Sequence, residues 1–179
     1  MCGFLGEYKK EGHLISQLEF TNLLALSKHR GPDSTKTSQG EFYQLGFNRL
    51  ALLDLTPAGE QPKSSPSGRY EMVFNGEVYN FKLLIEKYEL TNLRSSSDTE
   101  VILQLLDFLP VEEVFRQLNG MFAFSIWNSK TRELYLFRDR LGIKPLYYYS
   151  DNNCFLFGSE IKAILEAGVS AELEHSVLS

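Results

Sequence analysis

Cysteine is scarce: Cys2 and Cys154 are the only two in 179 residues. With no secretory signal ahead of them, a disulfide framework is not expected. The three histidines, His13, His29 and His175, stand far apart with no metal-like spacing to cysteines or carboxylates, so a zinc site has little support. No apolar run approaches the roughly 18 residues of a membrane span. The net charge is −5 and the basic residues are scattered, which argues against a nucleic-acid partner. There is no GxxxxGK[ST] loop and no GxGxxG after a strand-like run, so nothing cradles a nucleotide phosphate, and a G-x-S-x-G elbow is missing too. Internal repeats and low-complexity segments are also absent. The expectation is a soluble, cytoplasmic protein with no membrane partner.

What is present is an ordinary globular composition, 43% hydrophobic and 23% charged, long enough for one domain with a proper core. Periodicity predicts a strand over Cys2–Tyr8 and a helix over Gln17–Ser27. Glu41–Leu55 reads as two strands broken near Asn48, and Pro57–Gly68 as a loop. A strand at Tyr70–Phe74 precedes helices at Phe81–Leu90, Ser97–Phe108 and Pro110–Leu118, the second carrying a capping-box signature in Ser97 and Glu100. Four strands follow at Met121–Trp127, Glu133–Phe137, Leu146–Tyr149 and Phe155–Phe157, then a helix at Glu160–Ala167. Strands and helices are grouped and do not alternate strictly, which predicts an α+β layered fold over a doubly wound parallel sheet.

Four places could carry chemistry, and each has a plain structural reading beside it. Cys2, in MCGFLG, is either a small hydrophobe in a buried strand or a nucleophile. If Met1 is removed, its thiol and a free α-amine share one residue. The amine, with a pKa near 7.7–8.0, is roughly a tenth neutral at pH 7 and can serve as base through a bridging water. Arg49 interrupts an apolar stretch and needs a carboxylate, from the protein or from a ligand. Asn75-Gly76 is a hairpin signal, or else a side-chain amide and a main-chain N–H that stabilise an oxyanion. Asp98 suits a helix N-terminus whatever else it does. His29–Asp33, HRGPD, reads locally as a turn, and Cys154 as a core thiol.

Taken in order, Cys2 followed by HRGPDS, NRLALLDL, QP, FNGEVYN, SSSDTEVIL, LNGMFAFSIWN, RDRLGIKPLYYY and GSEIKAIL resembles the glutaminase domain of asparagine synthetase. This is a class II, N-terminal-nucleophile glutamine amidotransferase, and the resemblance covers residues 2–170. HRGPD and RDRLGIKPLYY favour that branch over the phosphosugar and purine branches. The resemblance implies a four-layer αββα sandwich and hydrolysis of L-glutamine to glutamate and ammonia. It makes Cys2 the nucleophile and Asn75 with Gly76 the oxyanion hole. Arg49 would hold the α-carboxylate and Asp98 the α-ammonium, with Glu77, Leu50 and Leu53 completing the pocket. No cofactor or metal is implied for this domain. ATP and magnesium belong to an ATP-dependent synthetase domain or subunit, whose SGG-x-DS loop is missing here. Residues 171–179 read as the start of an inter-domain connection, so the expectation is a cut chain or a stand-alone glutaminase. Phe47-Asn48 depart from the small or charged residues expected before Arg49. A non-catalytic binding or regulatory domain of the same fold, and a glutaminase serving another carboxylate acceptor, are the alternatives. A homodimer is left open.

Overall fold

The computed structural model describes residues 1–9, 11–12, 14–52 and 54–169. The expected inter-domain connection at 171–179 lies outside them, as do Leu53, His13 and His175. Among the described residues nine strands form two antiparallel sheets. The first contains β1 (Gly3–Tyr8), β2 (Ser34–Gln39), β3 (Tyr43–Arg49), β8 (Tyr147–Ser150) and β9 (Phe155–Gly158), in the order β2-β3-β1-β9-β8. The second contains β4 (Lys63–Ser64), β5 (Tyr70–Val78), β6 (Gly120–Asn128) and β7 (Glu133–Arg138), in chain order. Helices α1 (Gln17–Ala25) and α5 (Ile161–Glu166) cover the first sheet. Helices α2 (Phe81–Lys87), α3 (Asp98–Leu106) and α4 (Val111–Gln117) cover the second. The result is the four-layer αββα sandwich.

The period of two along each strand sorts side chains between these layers. Phe4, Phe47 and Val73 meet between the sheets, with Cys2 packed against them. Their neighbours Leu5, Met72 and Phe74 turn outward to the helices. Each such fully buried aliphatic or aromatic side chain contributes about 1.5–3 kcal/mol. Asn75 lies two residues beyond Val73, so it faces the first sheet as Val73 does. Gly3 stands opposite Asn48 in the register of β1 with β3. One step further brings Cys2 beside Arg49 and Leu50. The two sheets therefore present Cys2 and Asn75 towards each other at one end of the sandwich.

Three sequence expectations are corrected. The strand pair does not break near Asn48, which is fully buried inside β3. Its amide donates to Leu24 O at 2.8 Å and Ser27 Oγ at 3.0 Å, tying the sheet to the end of α1. The partner strand lies earlier, at β2, whose STKTSQ has no apolar alternation because it is a mostly uncovered edge. Secondly, Asn75-Gly76 forms no hairpin: β5 runs through it to Val78. A Cβ at Gly76 would sit 2.2 Å from Met121 O, so the close approach of β6 requires glycine there. Thirdly, Pro57–Gly68 contains a 3-10 turn at Pro57–Gly59 and the short β4. The helices are otherwise where the periodicity puts them, one to three residues shorter at their ends, the usual uncertainty of fraying termini.

Candidate active site

Cys2 is half-buried, and its thiol faces the main chain of Leu50. Sγ lies 3.3 Å from Leu50 N, which donates to it, and 3.5 Å from Leu50 O. Burial pushes the thiol pKa up, while the Leu50 N–H, the positive amino terminus, Arg49 and Arg30 pull it back. Arg30 sits in a 3-10 turn at Lys28–Arg30 and donates from Nε to Cys2 O at 3.0 Å. Asp33 Oδ2 accepts from Ala51 N at 2.8 Å. The HRGPD segment is thus a turn that also holds the main chain of Cys2 and of Ala51, a role sequence reading did not assign to Arg30.

Arg49 ends β3 and is 8% exposed. Its Nη2 donates to the carbonyl of Asp54. Among the described residues no carboxylate comes within ion-pair distance of it. Asp98 opens α3 and is 4% exposed. It accepts hydrogen bonds from Val78 N at 2.7 Å and Thr99 N at 2.9 Å, and no described cation pairs with it. Burial raises its pKa to about 6, opposed by those two N–H groups and reinforced by the charge of Glu77. The helix end alone does not account for it, because Ser97 Oγ already caps α3 by accepting from Glu100 N at 3.3 Å. The capping box is only half made: the Glu100 carboxylate turns instead to Lys63 at 2.8 Å and Arg94 at 2.9 Å.

Asn75 is 2% exposed, and its side-chain nitrogen is buried with no hydrogen-bond partner. An unmade buried bond costs about 1–3 kcal/mol, so such a group is expected to meet a ligand or water. Gly76 follows it, and Glu77 is half-buried. Cys2, Arg49, Leu50, Asn75, Gly76, Glu77 and Asp98 all line one cavity of about 340 Å³. That volume lies at the small end for ligand sites, suited to one amino acid. Leu53 is outside the described residues, so its expected place in the pocket is not described. The cavity also takes in Met1, Gln61 and Lys144, which sequence reasoning left without roles. The QP and GIKPLYY segments were the signal that could have found the last two. Cys154 is half-buried beside β9, away from this cavity and not in the core as expected, and burial pushes its thiol up to about 11. Among the described residues no cluster of His, Cys, Asp and Glu could hold a metal ion, and no helix is long and apolar enough to cross a membrane.

An anion, a cation, two unengaged donor positions and a thiol around an amino-acid-sized cavity agree with what the comparisons with known proteins find. The family profile for the glutamine amidotransferase domain matches residues 1–179. Asparagine synthetase (glutamine-hydrolyzing) 1 of Bacillus subtilis strain 168 is 38% identical over 188 residues, covering 99% of this chain and 29% of that protein. A putative asparagine synthetase (glutamine-hydrolyzing) 2 of Methanocaldococcus jannaschii is 38% identical over 183 residues, covering 92% of this chain and 35% of that protein. The chain spans about a third of the length of these curated relatives. Among solved structures, glutamine phosphoribosylpyrophosphate amidotransferase of B. subtilis, complexed with ADP and GMP, superposes with a TM-score of 0.77 at 20% identity. The match covers 93% of this chain and 44% of that one, and shows the shared fold. The chain belongs to the glutamine amidotransferase domain family.

Proposed function

We propose that this domain hydrolyses the side-chain amide of L-glutamine through a thioester on Cys2. The reading is carried by Arg49 and Asp98, two opposite buried charges with no counter-ion among the described residues, which open on the same cavity as the thiol. A free amino acid supplies the missing partners. Its α-carboxylate matches the Arg49 fork, its α-ammonium matches Asp98, and its side chain extends from there towards Cys2. Leu50, Leu53 and Glu77 would complete the pocket.

The reaction begins once Met1 is removed. The α-amine of Cys2 takes the thiol proton through a water, and the thiolate attacks the amide carbon of glutamine. Negative charge develops on the former carbonyl oxygen, where the Asn75 amide and the Gly76 N–H serve as donors. The tetrahedral species collapses as the α-ammonium returns its proton to the leaving nitrogen, which departs as ammonia. Water then attacks the thioester, frees glutamate and restores the thiol. No cofactor enters these steps. The ammonia passes to an ATP-dependent synthetase domain or subunit, where ATP and magnesium serve, with aspartate as the acceptor and asparagine as the product. A cytoplasmic setting fits this metabolic role.

The second reading is a domain that binds an amino acid without hydrolysing it. Met1 lies in the cavity wall, so its removal is the step on which the catalytic reading depends. N-terminal mass spectrometry paired with an ammonia assay separates the two. The catalytic reading expects ammonia and glutamate from glutamine, without ATP, from the species beginning at Cys2. Glutamine binding with no ammonia from that species would establish the second reading.

A further inference from the structure

Strand β5 exposes alternate main-chain groups along the edge that faces away from β6. Phe122 of β6 stands opposite Gly76, yet it turns its N–H to Asp139 Oδ2 at 3.2 Å and its carbonyl to Asp139 N at 2.8 Å. Gly76 and Phe122 therefore exchange no ladder bonds, and the Gly76 N–H points to the β4 side. Along that side Tyr70 O accepts from Ser65 N at 2.8 Å, Met72 faces Lys63 of β4, and Val78 N donates to Asp98. Strand β4 is only two residues long and ends before it reaches Phe74. At Phe74 a side chain takes its place. Gln61 Oε1 accepts from Phe74 N at 2.5 Å, and Gln61 Nε2 donates to Phe74 O at 3.3 Å. A carboxamide offers the same donor and acceptor as a peptide unit, so Gln61 acts as one rung of a missing strand. The next rung, Gly76, has no such partner among the described residues, and Gln61 itself is 8% exposed at the wall of the same cavity.

We propose that Gln61 is a positioning residue for glutamine hydrolysis, its carboxamide replacing a strand at Phe74 so that the Asn75 and Gly76 donors are held unengaged at the cavity. The inference rests on the reading of Asn75 and Gly76 as oxyanion donors. Gln61 need not touch glutamine. It fixes the main chain immediately before both donors, and oxyanion stabilisation depends on donors placed in advance.

The test uses the whole protein processed to Cys2, with Gln61→Ala and Gln61→Glu. The glutamate carboxylate still accepts from Phe74 N but faces Phe74 O without a proton to donate. Both variants are expected to lose about 10–100-fold in kcat, less than the roughly 10²–10³ of losing one oxyanion donor outright, because the donors are displaced and not removed. KM for glutamine should move by less than roughly threefold, since Arg49 and Asp98 are untouched. A γ-aldehyde analogue of glutamine forms a tetrahedral adduct with the thiol, so its inhibition should weaken with kcat. Inhibition by L-glutamate, which forms no such adduct, should not. Unchanged kcat in either folded variant, equal weakening of aldehyde and glutamate, or failure of both variants to fold would each overturn the proposal. A wild-type protein that releases no ammonia is a different result, and it overturns the parent reading and this one together.

Discussion

The carboxylate of Asp98 accepts a 2.7 Å hydrogen bond from the Val78 N–H, two residues beyond Gly76 on the same edge of β5. The group proposed to bind the α-ammonium and a proposed oxyanion donor are thus spaced by one rigid strand. Binding and chemistry are geometrically linked through main chain, with no flexible loop between them.

The raised pKa of Asp98, about 6, gives the proposed enzyme a particular pH profile. Only the carboxylate form attracts an ammonium. The α-amine of Cys2, with an ordinary pKa near 7.7–8.0, must also be neutral. The logarithm of kcat/KM should therefore rise with a slope of about one between pH 6 and 8, and of about two below 6. Asp98→Asn should lower kcat/KM throughout and leave a slope of about one below pH 6. A slope of two that survives in Asp98→Asn would assign the second proton elsewhere. The same shift affects the empty fold. Because the folded pKa exceeds the unfolded one, this residue favours folding below pH 3.8, and that contribution, on the order of 3 kcal/mol, is lost as pH rises through about 6.

Arg49→Lys keeps the positive charge and loses the planar fork that meets a carboxylate in two parallel bonds. It should raise KM for glutamine roughly ten- to hundredfold, the worth of a charged hydrogen bond, with kcat little changed. Steady-state kinetics checks this while chemistry is slow against glutamine dissociation. A silent variant with a lowered melting temperature would make Arg49 structural, held by Asp54 O.

Asn75→Ala removes an unpartnered buried amide and should show the opposite split. kcat should fall by about 10²–10³ while KM holds, because the donor matters most when the oxyanion forms. The variant should also fold at least as well as wild type, since no protein bond is broken. Thermal melting reads this directly.

Glu100 provides a stability control outside the proposed chemistry. It is fully buried between Lys63 and Arg94, whose hydrogen bonds outweigh the effect of burial and hold its carboxyl below the usual range. Glu100→Gln should cost about 3 kcal/mol, the low end for breaking a buried pair, because Arg94 stays partly exposed. Its folded pKa is depressed, so its stabilisation is complete above about 4.5 and is lost as pH falls through the lower folded value. Chemical denaturation at pH 7 and at pH 3 should show the wild-type advantage shrinking at the lower pH.

Much of this architecture was legible in the amino-acid sequence because it rests on local pattern. Cys2 behind Met1, Arg49 inside an apolar run and Ser97 before a helix each carry a signal visible within a few residues. Asn75-Gly76 was readable only as two alternatives, since a hairpin and a mid-strand donor pair share the same letters. What separates them is β6, which approaches from residues 120–128. Strand β2 escaped notice because an edge strand needs no buried alternation. The roles of Gln61 and Arg30 were hidden for a related reason. Each bonds to main chain far along the sequence, Gln61 to Phe74 and Arg30 to Cys2, and such side-chain-to-backbone bonds leave no periodicity.

The central claim is that Cys2, with its own α-amine, splits glutamine, and the most direct measurement is ammonia release from three forms of the chain. These are protein beginning at Cys2, the same protein retaining Met1, and the processed Cys2→Ala variant. Hydrolysis should be confined to the first, with a γ-glutamyl adduct on Cys2 detectable by mass spectrometry after acid quench. The alanine variant should still bind glutamine through Arg49 and Asp98. Equal rates with Met1 retained would contradict the α-amine as base, and ammonia release by Cys2→Ala would remove Cys2 from the mechanism.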